Sequence, residues 1–130
     1  MSRLAVAALT GRYVSLEPLA PDHVEAIATA GAVDRSTFGY TQVPDGTDEA
    51  TAYVEWLLDD AAHRRAAPFV QRRVDDGAIV GCTRYLNPAW SLGRTDPDEV
   101  EIGGTWLSPS AQRTPINTVA KLLLLTHAFE

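Results

Sequence analysis

The segment from residue 99 to the chain end constrains the fold most strongly, because it predicts a strand, a short polar loop and a helix in direct succession. Alternation of residue types predicts a strand over Glu99–Leu107. Its two faces are Val100, Ile102 and Trp106 on one side and Glu99, Glu101, Thr105 and Leu107 on the other. Gly103-Gly104 interrupts the strand, which predicts a β-bulge or the close approach of another group to the backbone.

A helix is predicted to begin directly after the polar loop 108–113. Thr114 can cap its N-terminus, and Pro115 suits the first helical position, where its missing N–H costs little. The helix is apolar nearly all round between Val119 and Leu125, so we expect it to be buried on more than one side. A helix N-terminus presents unpaired N–H groups and a partial positive charge, and it therefore binds phosphate well.

The rest of the chain supplies further α/β elements. The predicted strands are residues 12–19, 69–74 and 78–86, the last two joined by the hairpin turn Asp75-Asp76-Gly77. The predicted helices run from Asp22 to about Ala30, with Gly31 as the stop, and from Thr47 to Arg65. The predicted loops are residues 34–46, which carry Phe38 and Tyr40, and residues 87–98.

Composition restricts the class of function. The chain has 130 residues, enough for one domain with a sizeable core. A net charge of −6 argues against nucleic-acid binding and favours a cationic, amine-bearing substrate, although it also simply keeps a domain soluble. No apolar run approaches the roughly 18 residues of a membrane span. The single cysteine, Cys82, excludes an internal disulfide and suits the cytoplasm.

The residues from Glu101 through Gln112–Asn117 to Leu125 resemble the acyl-CoA-binding core of the GNAT superfamily of N-acyltransferases. The most similar branch contains the ribosomal-protein N-terminal alanine acetyltransferases. Upstream, Leu16-Glu17-Pro18-Leu19 resembles the opening strand of that branch, and the segment from Phe69 to Asn87 resembles its central hairpin. The resemblance therefore covers nearly the whole chain in the right order.

The resemblance implies a single GNAT domain over residues 1–130, with a mixed, mostly antiparallel sheet and helices on both faces. It implies acetyl-CoA as co-substrate, a primary amine on a peptide N-terminus or small molecule as acceptor, and no metal. The strand ending at Trp106-Leu107 would pair its backbone with the pantetheine arm. The phosphate loop of the family, Q/R-x-x-G-x-G/A, maps onto Gln112, Arg113, Thr114, Pro115, Ile116 and Asn117, whose backbone N–H groups would hold the pyrophosphate.

Two loop positions and one strand position depart from the family pattern. Pro115 replaces the first loop glycine and has no N–H, and Asn117 replaces the second small residue. We therefore expect weakened or rearranged phosphate binding, helped by side-chain donors on Thr114 and Asn117. Gly104 stands where this branch usually carries an aromatic residue, which would loosen the acceptor pocket.

Glu101 is the candidate general base of the implied transfer. An ammonium group with a pKa of about 8–10 must lose a proton before its nitrogen can attack a thioester. A solvent-facing strand residue without a catalytic role is the alternative interpretation of Glu101, and Glu99 is a second candidate further from the bulge.

The other reactive side chains have simpler explanations. His23, His63 and His127 lack metal-ligand spacing. We interpret Cys82 as a small core residue rather than a nucleophile. We interpret Arg72-Arg73 as a solvated pair, and Lys121 as a surface lysine that alternatively reaches a coenzyme phosphate. Trp90 and Trp106 either line a pocket or belong to the core.

GNAT domains continue past the third main helix with another strand, a fourth helix and a final hairpin, so the resemblance implies a domain truncated after that helix. Exposed leucines and an open sheet edge would then favour self-association or a completing partner chain. The rival to an enzyme is a non-catalytic half-domain or subunit that binds CoA or a partner chain without turnover.

Overall fold

Five strands and three helices are seen in the computed structural model, which describes residues 7–33, 35, 43–90, 97 and 99–129. The strands are β1 (Leu9–Thr10), β2 (Val14–Pro18), β3 (Ala66–Arg73), β4 (Ile79–Ala89) and β5 (Glu99–Leu107). The helices are α1 (Val24–Ala32), α2 (Gly46–Ala62) and α3 (Ile116–Phe129). The strands lie side by side in chain order, and every pairing between described strands is antiparallel. The predicted fold class is confirmed.

The β3–β4 hairpin forms the centre of the sheet, as predicted. Gly77 has a φ of +73°, the left-handed conformation that glycine adopts without strain. The Arg73 guanidinium donates to the Asp76 carboxylate (Nη2 to Oδ2, 2.7 Å) and lowers the pKa of Asp76 to about 2. Arg72 donates to Glu17 on β2 (Nη2 to Oε1, 3.1 Å) and holds the pKa of that carboxyl below its usual value. Both arginines are partly exposed, and each also forms an ion pair that the sequence analysis did not predict.

Each face of the sheet is covered by different helices. On what we call the α1/α2 face, the buried residues are Leu19, Ile27, Ala28, Ala30, Val43, Ala50, Val54, Leu57, Val70, Cys82 and Trp106. On the opposite side, the α3 face, they are Val14, Leu16, Ala67, Phe69, Val80, Tyr85, Leu107, Ala111, Ile116, Ala120 and Leu124. Alternation along β3, β4 and β5 sends neighbouring side chains into opposite layers.

The first two helices begin and end differently from the predictions. Asp22 lies inside a 3-10 turn, Pro21–His23, that precedes α1, so it is not the cap of that helix. Gly31 is buried within α1, where a Cβ atom would lie 2.7 Å from the carbonyl oxygen of Pro44. This glycine therefore permits close packing rather than ending the helix. Helix α2 begins at Gly46, before the predicted Thr47. The predicted loop with Phe38 and Tyr40 lies largely outside the described residues.

Strand β5 has the predicted bounds and the predicted bulge, but the predicted division of its faces is wrong. Cys82 pairs with Trp106, and Arg84 pairs with Gly103. Two steps along β4 therefore match three along β5, and the extra residue reverses the alternation. Ile102 consequently packs on the α3 face, whereas Trp106 packs on the α1/α2 face.

Helix α3 buries one stripe, formed by Ile116, Ala120 and Leu124. Leu122 and Leu125 remain 60% and 46% exposed, so burial on more than one side is not found in the described structure, whereas the expected exposed leucines are. Within the described residues, no helix combines the length and apolar character needed to cross a membrane.

Candidate functional site

The end of β5 is fixed beside the start of α3 by a chain of local hydrogen bonds. The Ser108 N–H donates to the carbonyl of Val80 on β4 (2.6 Å), which extends the sheet by one residue. A 3-10 turn, Pro109–Ala111, follows and buries Ala111. The Gln112 side chain donates Nε2–H to the Leu107 carbonyl (2.8 Å) and closes the loop onto the strand end.

Thr114 bonds to the first turn of helix α3, as predicted, but the helix begins at Ile116 and not at the predicted Pro115. The Thr114 hydroxyl donates to the Ala111 carbonyl (2.6 Å) and accepts from the Ile116 N–H (3.3 Å). The first helical bond runs from Val119 N–H to the Pro115 carbonyl (2.9 Å). The amides of residues 117 and 118 have no acceptor inside the helix, as is general for a first turn. These amides, with the positive end of the helix dipole, form an anion-binding position.

The structure divides the predicted coenzyme residues into three groups. The side chains of Leu107 and Ile116 are buried in the core, so only their backbone groups can meet a ligand. The side chains of Gln112 and Thr114 form hydrogen bonds to backbone carbonyls within the strand–loop segment itself. Arg113 is exposed, with a φ of +60°.

Asn117 and Trp106 complete the predicted set. The Oδ1 atom of Asn117 is buried and has no hydrogen-bond partner among the described residues. The Trp106 side chain lies on the α1/α2 face, where its Nε1–H donates to the Tyr53 hydroxyl of α2 (3.3 Å). Trp106 can therefore offer only backbone groups to a ligand. These groups face β4, because Trp106 pairs with Cys82 two residues before Ser108 bonds to Val80, and it is the Leu107 backbone that faces the outer edge.

The bulge at Gly103–Gly104 is occupied by a guanidinium group that the sequence analysis did not identify. Gly104 has a φ of +58°, and a Cβ atom there would lie 2.2 Å from Nη1 and 2.5 Å from Cζ of Arg84. The same guanidinium lies over the Trp56 ring of α2, with Cζ 5.1 Å from the ring centroid. Both sequence expectations, a bulge and a close approach to the backbone, are confirmed, and the approaching group is Arg84.

Glu101 lies on the same side of β5 as this guanidinium. It is exposed and pairs with Leu86, two residues beyond Arg84 on β4. Residues two apart in a strand share a face, so the carboxylate and the guanidinium belong to one surface of the sheet. Glu99 is also exposed and pairs with Ala89, further from the bulge.

Cys82 and Tyr53 lie beneath this surface. Burial raises the pKa of the Cys82 thiol to about 12, although a hydrogen bond from Tyr53 and the charge of Arg84 oppose the shift. The prediction that Cys82 is a core residue is confirmed, since its side chain is 2% exposed. Burial also raises the pKa of Tyr53 well above its usual value, so its hydroxyl stays protonated.

The remaining candidates are unconnected with this surface. His23 contacts Glu17, and the His63 ring pairs with Asp59 one turn earlier in α2. In the part of the chain that the structure describes, no three His, Cys, Asp or Glu residues are arranged to hold a metal ion. Lys121 is exposed on α3.

Comparison with solved structures finds 32 matching chains. A GCN5-related N-acetyltransferase from Brucella melitensis is 24% identical with a TM-score of 0.74, and the match covers 94% of this chain and 54% of that one. A probable acetyltransferase of the GNAT family from Chromobacterium violaceum is 30% identical with a TM-score of 0.73, covering 95% and 60%. RimJ from Mycobacterium smegmatis, in complex with CoA-disulfide, is 22% identical with a TM-score of 0.73, covering 95% and 59%.

These matches show that the chain has the fold of the GNAT acetyltransferases over nearly its whole length. The chain spans only 54% to 60% of the length of these three structures. No protein-family model and no curated protein sequence matches it.

Proposed function

We propose that this protein is an acyl-CoA-dependent N-acyltransferase, which transfers an acetyl group from acetyl-CoA to a primary amine. The observation that carries the proposal is the succession of an interrupted edge strand, a tightly bonded loop and a helix N-terminus, in a fold shared with GNAT acetyltransferases. Strand β5 lies at one edge of the described sheet, so its outer N–H and C=O groups can pair with an extended ligand.

In this proposal the coenzyme meets backbone groups rather than side chains. Of Trp106 and Leu107, Leu107 is the residue whose backbone faces the outer edge of β5, and its groups pair with the amide groups of the pantetheine arm. The backbone around Arg113, Ile116 and Asn117 meets the pyrophosphate through the first-turn amides of residues 117 and 118 and the helix dipole, because the Ile116 N–H is bonded to Thr114. Gln112 and Thr114 fix the loop, because their side chains bond to Leu107 and Ala111.

The transfer needs an amine with a free lone pair. Glu101, directly or through a water, takes the proton from the ammonium form of the acceptor. The amine nitrogen then attacks the thioester carbonyl, a C–N bond forms, and the C–S bond breaks to give an amide and the CoA thiolate. Solvent exposure of Glu101 allows the proton to pass on to water.

Calorimetry with CoA and with pantetheine, which lacks the phosphates, tests the coenzyme half of the proposal. We expect CoA to bind more tightly, because the loop amides contact the diphosphate. Equal binding of both compounds would contradict a phosphate-loop role. Pro115→Gly should tighten CoA binding because it restores an N–H donor, and Ser110→Gly, in the same loop but before the helix start, is the matched control.

Binding without turnover remains the second candidate function, and two observations favour it. Pro115 has no N–H, and the Ile116 N–H is already bonded to Thr114, so the loop offers few donors to phosphate. Leu122, Leu125 and Phe129 present an apolar surface on α3 that a second copy or a partner chain could cover. Mass spectrometry for an acetylated amine, together with light scattering, separates an active monomer from a silent, associating subunit.

A further inference from the structure

Among the described residues Arg84 has no acidic partner, unlike Arg72 and Arg73 on strand β3 and Arg65 between α2 and β3. Arg65, Arg72 and Arg73 each form an ion pair with an Asp or Glu carboxylate. No carboxylate of a described residue lies within 4.0 Å of the Arg84 guanidinium. This side chain is nevertheless only partly exposed. A partly buried guanidinium without a counter-ion favours an anion from outside the described chain.

The Arg84 guanidinium is positioned by ring stacking and packing rather than by hydrogen bonds from its N–H groups. One face lies over the Trp56 ring, and the group fills the space above Gly104, where a Cβ atom would collide with it. Stacking and packing orient the planar fork, and within the described residues its N–H donors form no hydrogen bond. Trp56 is itself 44% exposed, so solvent and small ligands reach this position.

Arg84 and Glu101 lie close enough on one face of the sheet for a single small ligand to contact both. Arg84 pairs with Gly103 and Glu101 pairs with Leu86, which makes them diagonal neighbours on one face of an antiparallel pair. Such neighbours lie about 7–8 Å apart at the backbone. The Arg84 side chain extends towards Gly104, on the far side of Gly103 from Glu101, so the two groups do not neutralise each other.

We propose that Arg84 binds a carboxylate of the acceptor, so that the amine accepted by this protein also carries an acid group. This inference rests on the proposed acyl transfer. The guanidinium fork binds the carboxylate with charge-assisted hydrogen bonds and directs the amine of the same molecule towards Glu101. The negative net charge favours cationic ligands, and the local positive charge of Arg84 selects zwitterionic ones among them.

A matched pair of probes tests the inference on the full 130-residue chain. 6-Aminohexanoate and 6-aminohexanamide have the same amine and chain length, and differ in the carboxylate. We expect the carboxylate probe to bind about tenfold more tightly by ligand-observed NMR titration, the size of effect typical of a hydrogen bond to a charged group. Arg84→Gln should abolish this preference, and Arg84→Lys should keep part of it, because charge remains while the planar fork is lost.

Arg12→Gln is the control for loss of one positive charge, since Arg12 is an exposed residue in the β1–β2 turn, away from the bulge. It should leave the preference unchanged. Melting temperatures of all variants establish that they fold. Equal affinity of the two probes for the native protein, failure of both to bind, or a preference that survives Arg84→Gln overturns the inference. Displacement of the carboxylate probe by CoA also overturns it, because Arg84 would then hold a coenzyme phosphate.

The design separates this inference from the proposed function. If acetyl-CoA binds and both probes are acetylated with equal kcat/KM, the acyltransferase function stands and the role of Arg84 is wrong. If no product forms with any amine but the carboxylate preference depends on Arg84, the anion site stands and the catalytic proposal is wrong.

Discussion

The two halves of the β5–α3 unit are built in different ways. The loop after β5 is closed by bonds between residues close in sequence, such as Gln112 to Leu107 and Thr114 to Ala111. The bulge in the middle of β5 is closed by residues distant in sequence, because Arg84 and Trp56 come from another strand and a helix. The loop is therefore a local structure, whereas the bulge depends on tertiary packing.

This difference separates the two tasks of the proposed enzyme. A coenzyme is the same molecule for many acyltransferases, so a local backbone loop is sufficient to hold it. An acceptor differs from one enzyme to the next, and we propose that its recognition falls to side chains such as Arg84 and Glu101, which lie on one face of the sheet. Changes at the bulge should therefore alter acceptor use, and changes in the loop should alter coenzyme affinity.

The largest expected effect is that of Glu101→Gln on turnover. If Glu101 removes the proton of the acceptor, steady-state kinetics should show a loss of roughly 10²–10⁴-fold in kcat/KM, the range for a general base. CoA affinity by calorimetry should change little, because the carboxylate lies on the bulge half of the unit. Glu99→Gln is the control, since Glu99 is equally exposed on the same strand. A loss in kcat/KM below about threefold would mean that Glu101 is a solvent-facing residue without a catalytic role.

Gly104→Ala should break the bulge while leaving the loop intact. The new Cβ atom meets the Arg84 guanidinium, and alanine is strained at a φ of +58°. We expect the free energy of unfolding to fall by about 1–3 kcal/mol in urea titrations. Loss of any preference for acid-bearing amines should accompany it, with CoA affinity retained. Gly77→Ala is the matched control, because Gly77 also has positive φ but nothing lies within 4 Å of its Cβ position.

Thr114→Ala should weaken the loop half instead. It removes the hydroxyl that accepts from the Ile116 N–H, and caps of this kind contribute about 1 kcal/mol. Hydrogen exchange should show faster exchange at the start of α3 and unchanged exchange in β4. Thr126→Ala, on the exposed side of the last turn of α3, is the control. Equal loosening of β4 and α3 would mean that the two halves form one cooperative unit.

The sequence predicted the loop half better than the bulge half, and the reason is the range of the interactions. Thr114 is a local capping signal, and the structure confirms that its hydroxyl accepts from the Ile116 N–H, although α3 begins one residue later than predicted. Gly103-Gly104 predicted a bulge, but sequence alone does not count the residues between paired positions. The one-residue insertion therefore placed Trp106 on the wrong face in the prediction.

Arg84 was missed because its role depends on three elements meeting. Its position, two residues after Cys82 on a predicted strand, was a usable signal that it shared a face with a core residue. Nothing local indicated that Trp56 would lie against it, or that the missing side chain of Gly104 would leave the space it fills. A side chain whose surroundings come from three distant elements is therefore harder to predict than one fixed by its sequence neighbours.

The smallest expected effect is a decrease in the free energy of unfolding at alkaline pH, which originates in the bulge half. The pKa of Cys82 rises from 9.0 to about 12 in the folded protein, chiefly through burial. A group whose folded pKa is raised contributes stability that is fully present below the unfolded pKa and is lost as pH rises from 9.0 towards 12. Between about pH 8 and pH 9.5 the free energy of unfolding should fall by roughly 1 kcal/mol at most.

Cys82→Ala separates this contribution from other alkaline effects. Urea titrations at the two pH values should show a smaller decrease in the variant, because alanine does not ionise. Cys82 of the native protein should also react slowly with iodoacetamide, since alkylation requires a thiolate and local opening of the buried strand. Arg84→Gln should slow that reaction further if the fold is retained, because the charge of Arg84 lowers the pKa of the thiol. Rapid alkylation of the native protein at about pH 8 would show that the bulge half opens readily, and that packing by Trp56 and Arg84 does not hold it closed.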